Sequence, residues 1–394
     1  MKTRELYLNH AGTSWPKPSV VSEAVGDAMT APPAQWPQRF DEAHQAIAEF
    51  FGVSRREQIL LTPGCTSALA VGIGDSLIES GQRVLTSRWE HHALHRPLLK
   101  LASTGVRVEY IPLARSRRTH GHVSPIDLDW LEQTLAKRDV GLVAITAACN
   151  VTGELLPYED VIQIAQRYGS MVLLDAAQIV GWQQLDLPRL GADMVAFGGH
   201  KGLQAPWGIG GLYLSDRAQM VCTSASCEVP VAGKGDGKGS ARPGYCDVGS
   251  VDQFALAGLH AAIQLLREQS IEAQLASGRR QIQRIRASLE QIDRLRIFGP
   301  AEPNQGMPTL ALAVPEFPSS ELASRFKRHG LIVGSGIHCA PLAHQTLGTQ
   351  DLGLVRLSVG LGQPDEEIDD TIDRLRLALN EEFFQTVVNR DSAS

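Results

Sequence analysis

The sequence predicts an α/β protein built on a mainly parallel sheet of seven strands, with a smaller α+β domain attached. Three observations carry this. Short apolar runs alternate with amphipathic stretches from residue 58 to residue 214, and strand–helix alternation is the pattern of a parallel sheet covered on both faces. Most of the runs read as buried strands rather than half-exposed ones. After about residue 250 the pattern changes to long helices mixed with a few strands.

The seven candidate strands are Gln58–Thr62, Arg83–Ser87, Val106–Ile111, Leu142–Ala147, Met171–Asp175, Met194–Phe197 and Gly211–Leu214. Helical periodicity lies between several of them, as in Pro157–Tyr168, and precedes them at Pro18–Thr30 and Phe40–Phe51. The segment Val231–Gly244 (VAGKGDGKGSARPG) has the composition of a solvated, flexible loop. Beyond it, Val251–Glu268, Ile271–Ile292, Ser319–His329 and Asp365–Glu382 read as helices. Thr309–Val314, Leu331–Gly334 and Leu354–Val359 read as strands. The division expected is a large domain over residues 16–256 and a small α+β domain from residues 1–15 and 257–394.

Bulk properties narrow the function. The formal charge of -6 and pI near 6.1 argue against a nucleic-acid or anionic-membrane binder. No apolar run approaches the ~20 residues of a membrane span. The opening MKTRELYLNHAG lacks the apolar stretch of a signal peptide, so a cytoplasmic location is the default expectation. The six cysteines are Cys65, Cys149, Cys222, Cys227, Cys246 and Cys339, and they are too irregular for a disulfide framework. Cys222 and Cys227 lack the second pair that a four-ligand zinc site needs, so no metal is expected.

Chemistry concentrates after the strands, where ligands sit in such sheets. VLLDAAQ delivers Asp175 at a strand end, and MVAFGGHKG delivers Lys201 at another. Alone, the first reads as a helix cap and the second as a surface lysine. Together they are the pair that pyridoxal 5′-phosphate (PLP) requires. A lysine amine condenses with the aldehyde, and a carboxylate keeps the pyridine nitrogen protonated so that the ring accepts electrons. LLTPGCTSALAVG reads as strand, turn and helix, with Cys65 and Thr66 at a helix N-terminus suited to a phosphate. His91, in WEHH, could stack on a flat ring or equally be a surface residue. Asn150 and Gln178 could both bond a phenolic oxygen.

These motifs resemble the class V aminotransferase family of fold-type I PLP enzymes, and within it the cysteine desulfurase and selenocysteine lyase branch. The likeness runs through LYLNHAGTSWPKP, PGCTSAL, WEHHALHRPL, ACNVTGELLP, LLDAAQ, GGHKG, GIHCAPLAHQTLGT and VRLSVG. It implies Lys201 as the coenzyme-bearing lysine, Asp175 on the pyridinium and His91 on the ring face. It implies Asn150 and Gln178 near the phenolic oxygen, and Cys65, Thr66 and His200 around the phosphate. Ser250, in DVGSVD, corresponds to a residue that reaches the phosphate of a neighbouring subunit, which implies a homodimer. Arg356, in VRLSVG, corresponds to the arginine that grips the substrate carboxylate, beside Asn150. Cys339, in GIHCAP, corresponds to the nucleophile that takes sulfur as a persulfide, with His338 beside it. The catalytic set is then Lys201, Cys339 and His91.

The implied reaction removes sulfur from L-cysteine, or a related sulfur or selenium amino acid, to give alanine and a persulfide for an acceptor protein. The alternatives on the same coenzyme core are a C–S lyase acting by β-elimination and an aminotransferase or epimerase. Four positions depart from the family pattern. Gly198 replaces a Ser or Thr, Gly334 an arginine, Asp252 an asparagine, and NHAG an acidic DNAA-like opening.

Overall fold

All seven strands expected before residue 215 form one sheet. The computed structural model describes residues 4–74, 78, 81–114, 125–218, 252–380 and 382–384. Ser250, Cys222, Cys227, Cys246 and the segment 231–244 lie outside the described residues.

The strands are β1 (Leu6–Tyr7), β2 (Ile59–Thr62), β3 (Arg83–Thr86), β4 (Arg107–Tyr110), β5 (Val140–Thr146), β6 (Met171–Asp175), β7 (Met194–Gly198) and β8 (Gly210–Leu214). They continue with β9 (Arg296–Phe298), β10 (Thr309–Ala313), β11 (Leu331–Ile332), β12 (Gly334–Gly336) and β13 (Leu354–Ser358). The main sheet runs β2-β8-β7-β6-β5-β3-β4. Only β8 reverses direction, pairing antiparallel with both β2 and β7.

Strand residues alternate between two apolar layers. Val143, Ile145, Val172, Leu174, Val195 and Phe197 join one core cluster, and Leu142, Ala144, Leu173, Met194 and Ala196 join another on the opposite face. Both faces are covered, so the strands read as continuous apolar runs. Helices α1 (Ser19–Thr30), α2 (Trp36–Phe50), α3 (Cys65–Gly74), α4 (His92–Ala102), α5 (Leu128–Leu135), α6 (Tyr158–Tyr168), α7 (Leu187–Leu190) and α8 (Gln253–Arg267) accompany this sheet. Helices α3 and α4 cover one face, and α2, α5, α6 and α8 the other. Asp252 caps α8 by accepting from the Phe254 and Ala255 N–H groups, a role that asparagine would fill equally well.

The remaining helices are α9 (Ile271–Leu289), α10 (Ser319–Arg328), α11 (Pro341–Leu347) and α12 (Asp365–Ala378). A second sheet, β12-β13-β10-β9, is antiparallel throughout. Its core includes Ile282, Ile285, Leu310, Leu312, Phe326, Leu357 and Leu375. The expected strand Leu331–Gly334 divides at Val333. Its first half pairs with β1 at the chain's opening and its second half with β13. Strand β9 was not expected, because three residues carry no readable period.

The loops that matter leave the carboxyl ends of β2, β3, β5, β6 and β7. Two of them lock together. Gly181 has φ +83°, and a β-carbon there would collide with the Gly202 backbone; one on Gly202 would collide with the Val180 carbonyl. Backbone touches backbone immediately after Lys201, which only paired glycines allow. Gly181→Ala adds both left-handed strain and overpacking, and is expected to destabilise the protein by about 2–4 kcal/mol. Denaturant unfolding of the two proteins measures it, and an unchanged midpoint would contradict the close approach.

Candidate active site

Lys201 and Asp175 follow neighbouring strands; Asp175 is buried and Lys201 half-buried. Asp175 ends β6, and Lys201 lies three residues beyond β7. Burial lowers the Lys201 pKa, against the raising influence of Asp175 and Cys65. Burial likewise pushes the Asp175 carboxyl up, against the Ala177 N–H, Lys201 and Cys65. A lysine so placed loses its proton more readily than one in water, which makes its nitrogen nucleophilic. Both hydrogen bonds to the Asp175 carboxylate end on Oδ1: the Ala177 N–H at 2.9 Å and the Cys65 thiol at 3.4 Å. The carboxylate orientation is thereby fixed with Oδ2 left over.

Cys65 opens α3, and its thiol is pushed well above the ordinary range, first by burial and then by Asp175. Thr66 follows and is exposed. Gly198 lies opposite, where a β-carbon would stand 3.4 Å from the Cys65 β-carbon. The loop behind Lys201 is held through the His200 carbonyl. It accepts from the Ser14 N–H at 3.0 Å, the Thr13 hydroxyl at 3.0 Å and the Lys17 ammonium at 2.9 Å. The His200 ring is driven to a pKa of about 4 by burial, and its Nδ1 is buried without a partner among the described residues.

His91 is the N-cap of α4. Its Nδ1 accepts from the Ala93 N–H at 3.0 Å, so the neutral ring carries its proton on Nε2. Burial, then the charge of Lys201, holds its pKa at about 4. The neighbouring Glu90 was not singled out from sequence. It is 1% exposed, takes the Ser87 hydroxyl on Oε1, and has no partner on Oε2. Burial raises its pKa well above the carboxylate range, with Asp175 adding to the effect.

Asn150 and Arg356 meet over a separation of 206 residues. The Arg356 Nη1 donates to the Asn150 carbonyl at 2.7 Å, and its Nη2 donates to Asn9 Oδ1 at 2.8 Å. Burial lowers the Arg356 pKa to about 10, and its Nε lacks a partner among the described residues. Asn9 is a second residue that sequence reasoning passed over. Gln178 donates to the Ala11 carbonyl at 3.2 Å, so the chain's opening segment meets both residues.

Cys339 is exposed in the turn between β12 and α11. It and His338 both have left-handed backbone, φ +57° and +49°. The His338 Nε2 faces the Leu354 carbonyl at 2.9 Å, and its ring stacks on buried His344 with centroids 6.2 Å apart. Burial and Arg356 hold its pKa near 3, so the ring is neutral and its Nε2 proton is committed to Leu354. The Asn150 amide donates to the His338 carbonyl at 2.7 Å, joining this turn to the rest of the site.

The class V aminotransferase profile matches residues 7–371. The chain belongs to the class V aminotransferase family. A probable cysteine desulfurase of Vibrio cholerae is 29% identical over 404 residues, spanning 95% of this chain and 94% of the relative. A solved cysteine desulfurase of Escherichia coli superposes with a TM-score of 0.82 at 23% identity, covering 96% of each chain. Another solved chain, a lysine-to-alanine mutant with glycine covalently linked to its PLP cofactor, superposes with a TM-score of 0.78 at 21% identity, covering 95% of this chain and 96% of that one. The fold is therefore that of fold-type I PLP enzymes, and the chain is a PLP-dependent, cysteine desulfurase-like enzyme. The residues present fit the coenzyme. A half-buried amine lies in the field of a buried carboxylate, and His200 Nδ1 is sealed from water without a partner among the described residues.

Proposed function

We propose that the enzyme removes sulfur from L-cysteine and carries it on Cys339. The observation that supports this most is the Cys339 turn: the Asn150 amide holds it through the His338 carbonyl, and the carbonyl of the same residue holds Arg356.

The coenzyme, when bound, supplies an electron sink for the charge left at the substrate α-carbon. Lys201 would hold it, and Asp175 would keep its pyridine nitrogen protonated. His91 would serve the ring face, Asn150 and Gln178 the phenolic oxygen, and the α3 N-terminus with Cys65, Thr66 and His200 the phosphate. Arg356 holds the substrate carboxylate through its fork. The Lys201 amine then removes the α-proton and later returns a proton to the product. The Cys339 thiolate attacks the substrate sulfur, so that an S–S bond forms as the C–S bond breaks. L-cysteine becomes alanine, and Cys339 becomes a persulfide that a sulfur-accepting protein would draw off.

We further propose a homodimer in which Ser250 reaches the neighbouring subunit's phosphate site, as the resemblance implies. Closed two-fold dimers are the commonest oligomers. The solution mass should be twice 42.7 kDa; an active species at the monomer mass would overturn this.

With L-cysteine as the sole substrate, mass spectrometry of the Cys339 peptide should find one added sulfur, about 32 Da, a reversible cap. Cys339→Ser should lose alanine formation yet keep the coenzyme's visible absorption, while Lys201→Ala should lose that absorption. If Cys339→Ser turns over at the wild-type rate to pyruvate and ammonia, the enzyme is a lyase and the sulfur-carrier reading falls. Arg356→Ala should keep the coenzyme but weaken substrate binding by about 2–5 kcal/mol, the cost of removing one partner of a buried charged pair. An unchanged KM for amino acids would remove Arg356 from that role.

A further inference from the structure

The turn that presents Cys339 is in an unfavourable conformation. His338 and Cys339 are successive non-glycine residues with left-handed backbone, a region where the side-chain β-carbon crowds the backbone. Such a conformation persists only where surrounding contacts over-determine it. Two hydrogen bonds supply those contacts. The Asn150 Nδ2 donates to the His338 carbonyl at 2.7 Å. The His92 N–H donates to the Cys339 carbonyl at 2.7 Å. Each strained residue is thus held by its own carbonyl from outside the turn.

Both donors belong to elements that bear residues of the coenzyme site. His92 is the first residue of α4, and His91 is that helix's N-cap. Its N–H is one of the helix-opening donors that have no partner inside the helix, and here it is spent on the cysteine turn. Asn150 follows β5 and is 7% exposed. Its amide nitrogen carries two hydrogens. One is engaged by His338, and the other remains for the phenolic oxygen that the proposed function places beside it. Its Oδ1 is buried without a partner among the described residues. The amide cannot be turned over, because Oδ1 would then face the His338 carbonyl oxygen.

We infer that Asn150 and the His92 backbone N–H are positioning groups for the nucleophile: together they clamp the Cys339 turn in its left-handed form against the coenzyme site. This deepens the desulfurase reading and rests on it for the role of Cys339, but the clamp itself is a property of the chain. Without it the turn relaxes toward the extended or right-handed regions, and the thiol moves away from the reacting atoms.

The test separates the backbone N–H from the side chain. His92→Pro deletes the N–H while leaving the helix intact, because proline is favoured at the first helical position. His91 already has the extended backbone, ψ 152°, that a residue before proline adopts. His92→Ala keeps the N–H and is the comparison protein. Hydrogen–deuterium exchange is followed in the peptide spanning residues 335–343, in coenzyme-free protein, where no phenolic oxygen competes for Asn150. Exchange in His92→Pro and in Asn150→Ala should be about threefold faster or more than in His92→Ala, because local opening no longer has to break the clamp. In coenzyme-loaded His92→Pro, kcat for alanine formation should fall about 10- to 100-fold, as for a small misplacement of a reacting group. KM and the coenzyme absorption should hold. Exchange in His92→Pro equal to that in His92→Ala overturns the clamp, and so does a rise in KM with kcat unchanged. Absence of a persulfide on wild-type Cys339 would instead sink the desulfurase reading, and the exchange result would stand apart from it.

Discussion

The site depends on one expensive juxtaposition: an amine and a carboxylate taken out of water together at the ends of β6 and β7. Asp175 is buried and Lys201 half-buried. Removing such charges from water costs several kcal/mol per ion after relaxation, and mutual attraction offsets this only with good geometry and further hydrogen bonds. Asp175 obtains that support from the Ala177 N–H and the Cys65 thiol, both on Oδ1. Desolvation favours loss of the Lys201 proton, against the attraction of Asp175 and Cys65 and with Arg356 adding to the effect. The deprotonated amine is the form that reacts with an aldehyde.

Keeping these groups in register demands a rigid frame, and the chain builds it from backbone rather than from long side chains. The Gly181 and Gly202 backbones pack against each other directly behind Lys201. The His200 carbonyl gathers donors from Thr13, Ser14 and Lys17, which anchors the opening segment to the lysine loop. That segment also brings Asn9 to Arg356 and the Ala11 carbonyl to Gln178. A stretch of about a dozen residues with almost no regular structure thereby joins both sheets. Its contacts explain why residues so early in the chain belong to a site whose main groups come much later.

The main sheet was legible because each strand is an uninterrupted apolar run with small or polar residues directly after it. Those following residues were legible as chemistry for the same reason: Asp175, Lys201, Asn150 and His91 all leave carboxyl ends of strands. Other features had no such signal. Asn9 meets Arg356 across 347 positions, and nothing local in LYLNHAG announces that contact. Glu90 reads as an ordinary charged residue in WEHH, yet its burial pushes its pKa well above the carboxylate range. The partner exchange at Val333 depends on β1 arriving from the far end of the chain, which a local period does not encode. The orientation of His338 was equally invisible. Its Nε2 turns to Leu354 and its ring to His344.

The space around Arg356 is close-packed. A β-carbon on Gly334 would stand 2.8 Å from Asn9 Oδ1 and 3.2 Å from the His338 ring. A β-carbon on Gly12 would stand 3.1 Å from both Arg356 Nη2 and Asn9 Oδ1. With Asn9 in this position, any larger residue at 334 forces a neighbour to shift. The electrostatic consequence follows from the difference between an amide and a carboxylate. Asn9 accepts one hydrogen bond from Arg356 but contributes no negative charge, and among the described residues no carboxylate pairs with that guanidinium. An aspartate at position 9 would neutralise Arg356 in advance and compete with any incoming carboxylate. Asparagine orients the fork and leaves its charge unspent. Arg356 is thus held in a buried setting by two neutral acceptors, the Asn150 carbonyl and Asn9 Oδ1, and the space beside Gly334 is filled by the Asn9 and His338 side chains.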